Sequence, residues 1–409
     1  MESQAMRAIL RGPAARIAGW TAAFGLMALP LGGVTGAFWT ALAVLLIQGV
    51  TLTLHKFSPQ ATGQIRRLLA GGGGLSSRMD RLPAWLSRSL PLVLLATLSL
   101  AGLGMGPYAL DVATNAGIYV LLALGLNVVV GMAGLLVLGY IAFSAVGAYT
   151  YAILNTQFHL SFWVALPLGG ALAAFVGLLL GLPTLRLRGD YLAIVTLGFG
   201  EITRITLNNW NSLTHGPNGI LGIAPPSIFG FTFSQPRHYF YLVLALVALA
   251  AICSTRLERS RLGRAWVAMR EDETAAESMG VPTLKLKLLA FTLAAFWGGV
   301  AGVVFASKQL FISPESFNFL ESVMVLCMVV LGGMGSVPGV ILGAVLLAFL
   351  PEMLRGVAEY RLIVFGAAMV LLMQYRPQGL WPSSRRFEEF RKEPGSGIEI
   401  SSRKFGKDP

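Results

Sequence analysis

The chain has 409 residues, 55% of them hydrophobic and 12% charged, with a mean hydropathy of +0.69. Soluble domains carry about 45 to 50% apolar residues even when glycine is counted, so a water-soluble globule is excluded and a polytopic membrane protein is indicated. The formal charge of +12 does not mark a nucleic-acid binder, because no basic stripe interleaves with aromatics on a soluble segment.

A spanning helix needs about 20 mostly apolar residues. In chain order the sequence offers twelve candidates: 17–31, 36–54, 89–106, 111–131, 134–154, 161–182, 190–207, 238–254, 286–307, 318–333, 337–353 and 360–375. The first and tenth are short for a full span, and the seventh carries Glu201 and Arg204. The fold class expected is therefore an all-α polytopic membrane protein, a bundle of about 10 to 12 transmembrane helices. The opening "MRAILRGPAARIAGW" has the basic start of a secretory signal, but no small-residue cleavage site follows Pro30 and a second apolar run begins at Val34.

Residues 1–54 form an N-terminal transmembrane extension and 55–88 a basic linker containing "AGGGGLSSRMDR", whose glycine run reads as a flexible connector. The main bundle runs over 89–381, with an outer loop at 208–237 and a charged segment at 256–284, and 382–409 is a polar tail. Lysine and arginine collect on the cytoplasmic side of membranes. With the N-terminus inside, all of the 31 basic residues fall inside except Arg204, Arg237, Lys308, Arg355 and Arg361, so both termini are expected in the cytoplasm.

The outer loop, "NNWNSLTHGPNGILGIAPPSIFGFTFSQPR", is dense in turn residues and reads as a compact external element, with Pro217 and Asn218 as candidate contacts for whatever arrives from outside. Cys253 and Cys327 lie in apolar runs and read as packing residues; no metal ligand set is visible, and the four histidines are scattered singly. Glu201 and Arg204 read either as an interfacial ion pair or as a functional intramembrane pair. No phosphate loop and no nucleophile or acid–base constellation occurs, so the chain is not expected to be an enzyme, to hydrolyse ATP or to bind a cofactor itself.

Small-xxx-small spacing at Gly102 and Gly106, at Gly298 and Gly302, and at Gly335, Gly339 and Gly343 points to close helix contacts. "VVVGMAGLLVLG" (128–139) and "VVLGGMGSVPGVILG" (329–343) share an apolar run, a glycine-rich break and a second apolar run. Such breaks persist in membranes only where the backbone is buried in protein or lines a wet cavity. Asn127, Gly131, Gly134, Gly332, Gly335 and Gly339 are therefore candidate pathway or packing residues.

Between the eighth and ninth spans stands "GRAWVAMREDETAAESMGVP" (263–282). Thr274 followed by Glu277 is a capping-box pattern that predicts a short helix starting there, with Gly280, Val281 and Pro282 as its stop. Residues 259–270 predict a preceding amphipathic turn or two with Leu262, Trp266 and Met269 on one side. The product is a cytoplasmic helical elbow, with Trp266 and Met269 exposed and small Ala275 and Ala276 near its tip, suited to docking a partner. Its expected contact set is Arg264, Arg270, Glu271, Asp272, Glu273, Thr274, Ala275, Ala276, Glu277 and Gly280.

Over roughly residues 109–381 the chain resembles the M-type permease subunits of ATP-binding-cassette importers for branched-chain amino acids. The resemblance rests on "LGLNVVVGMAGLLVLGYIAFSAVGAYT", "LRLRGDYLAIVTLGFGEITRI", "LTHGPNGILGI", "GRAWVAMREDETAAESMG", "MVVLGGMGSVPGVILGA" and "YRPQGLW". In such importers "TAAESMG" corresponds to an E-A-A-x-x-x-G loop: Ala275, Ala276 and Gly280 match, while Thr274 stands where glutamate is expected. The resemblance implies a coupling helix seated on an ATPase, an H-type permease partner, two ATPase subunits that hold ATP and Mg, and a periplasmic binding protein delivering leucine, isoleucine or valine across the inner membrane. Related permeases carry urea, short amides or other amino acids. From a different class, the runner-up is a secondary carrier or channel acting alone; a membrane-embedded enzyme comes third, because no acid–base or nucleophile constellation supports it.

Overall fold

The computed structural model describes residues 102, 106–184, 187, 189–228, 231–353, 366 and 379–381. The expected spans 17–31 and 36–54, nearly all of 89–106 and of 360–375, the linker and the tail lie outside the described residues. What is described is a helical membrane bundle.

The first long helix, α1 (Pro107–Asn127), opens with Pro107, whose missing N–H costs nothing at that position, and runs into a π turn at Val128–Met132. α2 spans Ile141–Phe158, α3 Phe162–Thr184, α4 Asp190–Asn209, the short α5 Asn211–Thr214 and α6 Pro236–Arg259. The elbow helices α7 (Arg261–Glu271) and α8 (Glu273–Ser278) lead into α9 (Thr283–Gln309), followed by α10 (Phe319–Gly332) and α11 (Val337–Met353). Among the described residues, four stretches are long and apolar enough to cross a membrane alone: Pro107–Met132, Phe162–Pro183, Pro236–Arg259 and Thr283–Gln309. With 14 residues, α10 reaches only about 21 Å at 1.5 Å per residue, short of the roughly 30 Å hydrocarbon core.

α9 is the hub and packs on α1, α2 and α3. Without water to drive helices together, close approach of backbones supplies the attraction. A Cβ on Gly302 would fall on the Ser144 carbonyl and one on Gly147 on the Gly299 carbonyl, so the expected contact role of Gly302 is met. A Cβ on Gly298 would stand 3.3 Å from the Tyr140 hydroxyl. The Gly102–Gly106 pair divides: Gly102 sits against Phe240, whereas a Cβ on Gly106, the N-cap of α1, would meet no atom of the described residues. Gly335 also leaves the expected series, because it precedes α11 in a turn with φ +81°.

The span expected at 134–154 starts later, at Ile141. Gly134 adopts φ +72°, a left-handed conformation that ends the preceding helical turn. The stretch up to Tyr140 then runs without helix, with Leu138 N–H donating to Thr196 Oγ1 at 3.1 Å. Cys253 is exposed on α6 instead of packed, since it lies on the outward side of that helix, and Cys327 is half-buried.

The outer loop is compact, as the turn residues require. It folds as α5, a 3₁₀ turn at Gly216–Asn218 and three two-residue strands. β1 (Ile220–Leu221) pairs antiparallel with β4 (Phe311–Ile312), and β2 (Ser227–Ile228) with β3 (Phe231–Thr232). Asn155 and Tyr151 of α2 hold its centre: Ala224 N–H donates to Asn155 Oδ1 at 2.7 Å and the Tyr151 hydroxyl donates to Ala224 O at 2.6 Å. Pro217 and Asn218 remain exposed in the 3₁₀ turn.

Candidate functional site

α7 begins at Ser260, whose Oγ accepts from Gly263 N–H at 3.2 Å. Its apolar stripe faces inward: Trp266 is fully buried and donates from Nε1 to Leu286 O at 2.9 Å, and Met269 is buried beside it. The expected exposure of Trp266 and Met269 is therefore wrong. An amphipathic helix folded back on the base of α9 satisfies its stripe within the chain and leaves only Leu262 of the three exposed. Trp266→Ala is expected to destabilise the chain by about 3–5 kcal/mol, read as a lowered melting temperature in detergent.

α8 is capped two residues earlier than the Thr274–Glu277 pattern predicts. Asp272 is the N-cap, and its Oδ1 accepts from Thr274 N–H and Ala275 N–H, both at 2.9 Å. A carboxylate there meets two free donors and the positive end of the helix dipole, which a threonine hydroxyl cannot match. The stop is as expected: Gly280 takes φ +83°, its N–H donates to Glu277 O at 2.9 Å and Val281 N–H donates to Ala276 O at 3.0 Å, a Schellman closure.

Ala276 is buried, contrary to expectation, because α8 turns that face toward the bundle, while Thr274, Ala275, Glu277, Ser278 and Gly280 are exposed and Met279 is 84% exposed. Arg264 and Glu271 also face outward. Lys287, buried at the base of α9, pairs with Glu273 at 2.6 Å and fixes α8 to that helix. Nothing in the residue pattern marked Lys287 as a partner of the elbow; its position four residues into α9 was the available signal.

Arg270 points the other way. Its Nη1 donates to Gly131 O at 2.8 Å, while Nη2 donates to Glu271 Oε1 at 2.9 Å. A Cβ on Gly134 would strike the Arg270 side chain, so glycine there is what admits it. The elbow thus reaches directly into the first helix break.

The two breaks meet. Gly335 N–H, in the turn between α10 and α11, donates to Asn127 Oδ1 at 2.9 Å, and a Cβ on Gly131 would overlap both of these atoms. Asn127 is fully buried at the end of α1, and its Nδ2 has no hydrogen-bond partner among the described residues. Gly332 and Gly339 face each other so closely that a Cβ on either would fall on the other's carbonyl. Leu380 N–H and Trp381 N–H donate to Leu331 O at 2.8 Å and Gly332 O at 3.0 Å, closing the end of α10. All six candidate glycine and asparagine positions therefore lie at this junction.

Glu201 and Arg204 form a 2.9 Å pair on α4, each about one-third exposed, a self-contained i,i+3 contact. Among the described residues no group of metal ligands occurs.

A family model described as the permease component of branched-chain amino acid transport systems matches residues 108–373. The chain is 51% identical over 300 residues to the high-affinity branched-chain amino acid transport system permease protein LivM of Salmonella typhimurium, covering 68% of this chain and 71% of that protein. Its similarity to LivM of Escherichia coli K12 is also 51%, over 298 residues, 67% of this chain and 70% of that protein. It is 29% identical over 192 residues to the permease protein LivH of the same organism, 43% of this chain and 60% of that protein. No solved structure matches. The helical bundle, the paired breaks and the matched span agree: the chain belongs to the family of permease components of branched-chain amino acid transport systems.

Proposed function

We propose that this chain is one of two permease subunits of an ATP-driven importer, that it carries leucine, isoleucine or valine through the inner membrane, and that both its termini are cytoplasmic. A periplasmic binding protein delivers the substrate to the outer loop near Pro217 and Asn218, and two ATPase subunits, which hold ATP and Mg, supply the work. The second permease is an H-type subunit, in keeping with the similarity to LivH.

The observation that carries this reading is the two-sided elbow. Its outer side, Thr274, Ala275, Glu277 and Met279, is exposed among the described residues, while its inner side sends Arg270 to the Gly131 carbonyl. An ATPase seated on the outer side would move α7 and α8 together with the base of α9, because Glu273 is tied to Lys287 and Trp266 to Leu286. That motion would reach the junction of the breaks through Arg270.

The test is co-purification. Ala275→Asp places a charge on the outer side without touching the core, and it is expected to abolish recovery of the ATPase subunits with the membrane-inserted chain. Retention of the ATPases at wild-type stoichiometry would remove the docking role. Ala276→Asp is a poorer probe, because that side chain is buried and its replacement tests packing instead.

A further inference from the structure

A half-enclosed cavity of about 410 Å³ lies between α1, α9, α10 and α11, away from the elbow and the breaks. Its size falls in the range of roughly 300–1,000 Å³ typical of small-molecule sites. Asp111 and Asn115 of α1 meet Lys308 near the end of α9, and Gly125 of α1 meets Ala294 toward its start, so these helices run antiparallel. Tyr119 and the cavity therefore lie between those levels, on the side of the outer loop.

Two acids, Glu321 and Glu352, line the cavity, and no lysine or arginine is among its described lining residues. Glu321 stands in the first turn of α10, where Asn318 Oδ1 accepts its backbone N–H at 3.1 Å. Its Oε2 accepts from the Tyr119 hydroxyl at 3.0 Å. A neutral phenol orients the carboxylate but brings no compensating charge. Lys308, near the end of α9, is held by Asp111 at 2.9 Å and by Asn115 at 2.5 Å. A carboxylate within a membrane bundle marks a substrate or ion path more often than a structural contact. Below it the wall is apolar, from Ile118, Leu122, Met324, Met328 and Leu347. An acidic mouth over an aliphatic floor is complementary to a solute with an ammonium group on one end and a branched hydrocarbon on the other.

We propose that this cavity is a transient subsite for the amino acid in transit, in which Glu321, oriented by Tyr119, receives the α-ammonium group and the floor formed by α1, α10 and α11 receives the side chain. The proposal rests on the transport reading above. It adds that this chain's own helices contact the solute at a place apart from the elbow and the breaks.

The experiment uses the whole complex, with both permeases, the ATPases and the binding protein, reconstituted in liposomes and supplied with leucine or a diazirine-bearing leucine analogue. Glu321→Gln removes the charge and keeps the shape. Loss of a charge-assisted contact in a site of this kind predicts roughly a tenfold or greater fall in leucine uptake. Stimulation of ATP hydrolysis by the loaded binding protein is expected to stay within about twofold, since coupling is untouched. In the wild type the analogue is expected to crosslink to the α10 peptide containing Met324, and the crosslink is expected to vanish in Glu321→Gln. Tyr119→Phe leaves the carboxylate in place, so it is expected to show an intermediate loss, and Glu321→Asp a partial rescue. Wild-type uptake and crosslinking in Glu321→Gln would overturn the proposal. So would uptake that loses only its dependence on a pH gradient while the crosslink persists, since Glu321 would then carry a proton. A wild-type complex that hydrolyses ATP but moves no leucine would instead overturn the transport reading itself. Should Glu321→Gln fail to assemble, Tyr119→Phe and Glu321→Asp decide the matter by the same crosslink.

Discussion

Arg270→Ala is expected to leave the ATPase subunits bound and hydrolysing while leucine uptake falls by about tenfold or more. The reasoning follows the geometry. Arg270 is the elbow's side chain that reaches the first helix break, through a 2.8 Å bond from Nη1 to Gly131 O, and the exposed docking side of α8 does not include it. A hydrogen bond from a charged donor contributes about 1.5–3 kcal/mol, and each 1.4 kcal/mol is a factor of ten in the equilibrium it biases. Removing it severs the link between the elbow and the breaks without altering Ala275 or Met279. Lysine is no equivalent: it lacks the forked donors that serve Gly131 and Glu271 together, so Arg270→Lys is expected to fall between wild type and alanine. The measurements are ATP hydrolysis and leucine uptake in the same proteoliposomes, with co-purification of the ATPases as the control. Loss of ATPase binding in Arg270→Ala would place this residue on the docking side and refute the link.

Much of this arrangement was legible in the residues. Long apolar runs gave the positions of α3, α4, α6, α9 and α11 to within a few residues, because in lipid a continuous apolar stretch has no stable alternative to a helix. The glycine breaks were visible for the same reason, since Gly131, Gly134 and Gly335 interrupt runs that would otherwise propagate. The direction in which the elbow faces was not legible. Periodicity places Trp266 and Met269 on one stripe, but a stripe is equally suited to a partner or to the protein's own base, and only the position of Leu286 decides it. The cap of α8 was misplaced by two residues because Asp272 and Thr274 are both good capping types, and only the turn after α7 selects the carboxylate. The Tyr119–Glu321 contact joins residues 202 positions apart, a separation at which no local pattern carries information. Its available signal was a single glutamate directly before an apolar run, in "NFLESVMVLCMVV".

Gly131→Ala is expected to be the most damaging of the conservative substitutions at the junction. The added methyl would overlap Asn127 Oδ1 and the Gly335 nitrogen and lie 2.9 Å from Asn127 Cγ. Neither neighbour can withdraw easily: Asn127 is fully buried and holds the Gly335 N–H at 2.9 Å, and Gly335 is confined to φ +81° by its turn. Overpacking of this kind costs about 1–3 kcal/mol, and more where backbone must shift. If the Asn127–Gly335 bond breaks to make room, a buried donor is left without an acceptor at a further cost of about 1–3 kcal/mol. The purified chain should therefore melt several degrees lower and, reconstituted with its partners, transport poorly even where it remains folded. Gly198→Ala supplies the contrast, because that glycine lies within α4 and an added Cβ would meet no atom of the described residues within 4 Å. Alanine there gains helix propensity worth up to about 1 kcal/mol and should melt at or above wild type. Equal melting of Gly131→Ala and wild type would mean that the junction adapts freely. A bond from Arg270 to so compliant a turn could not transmit a displacement from the elbow, and the role assigned to Arg270 would fall with it.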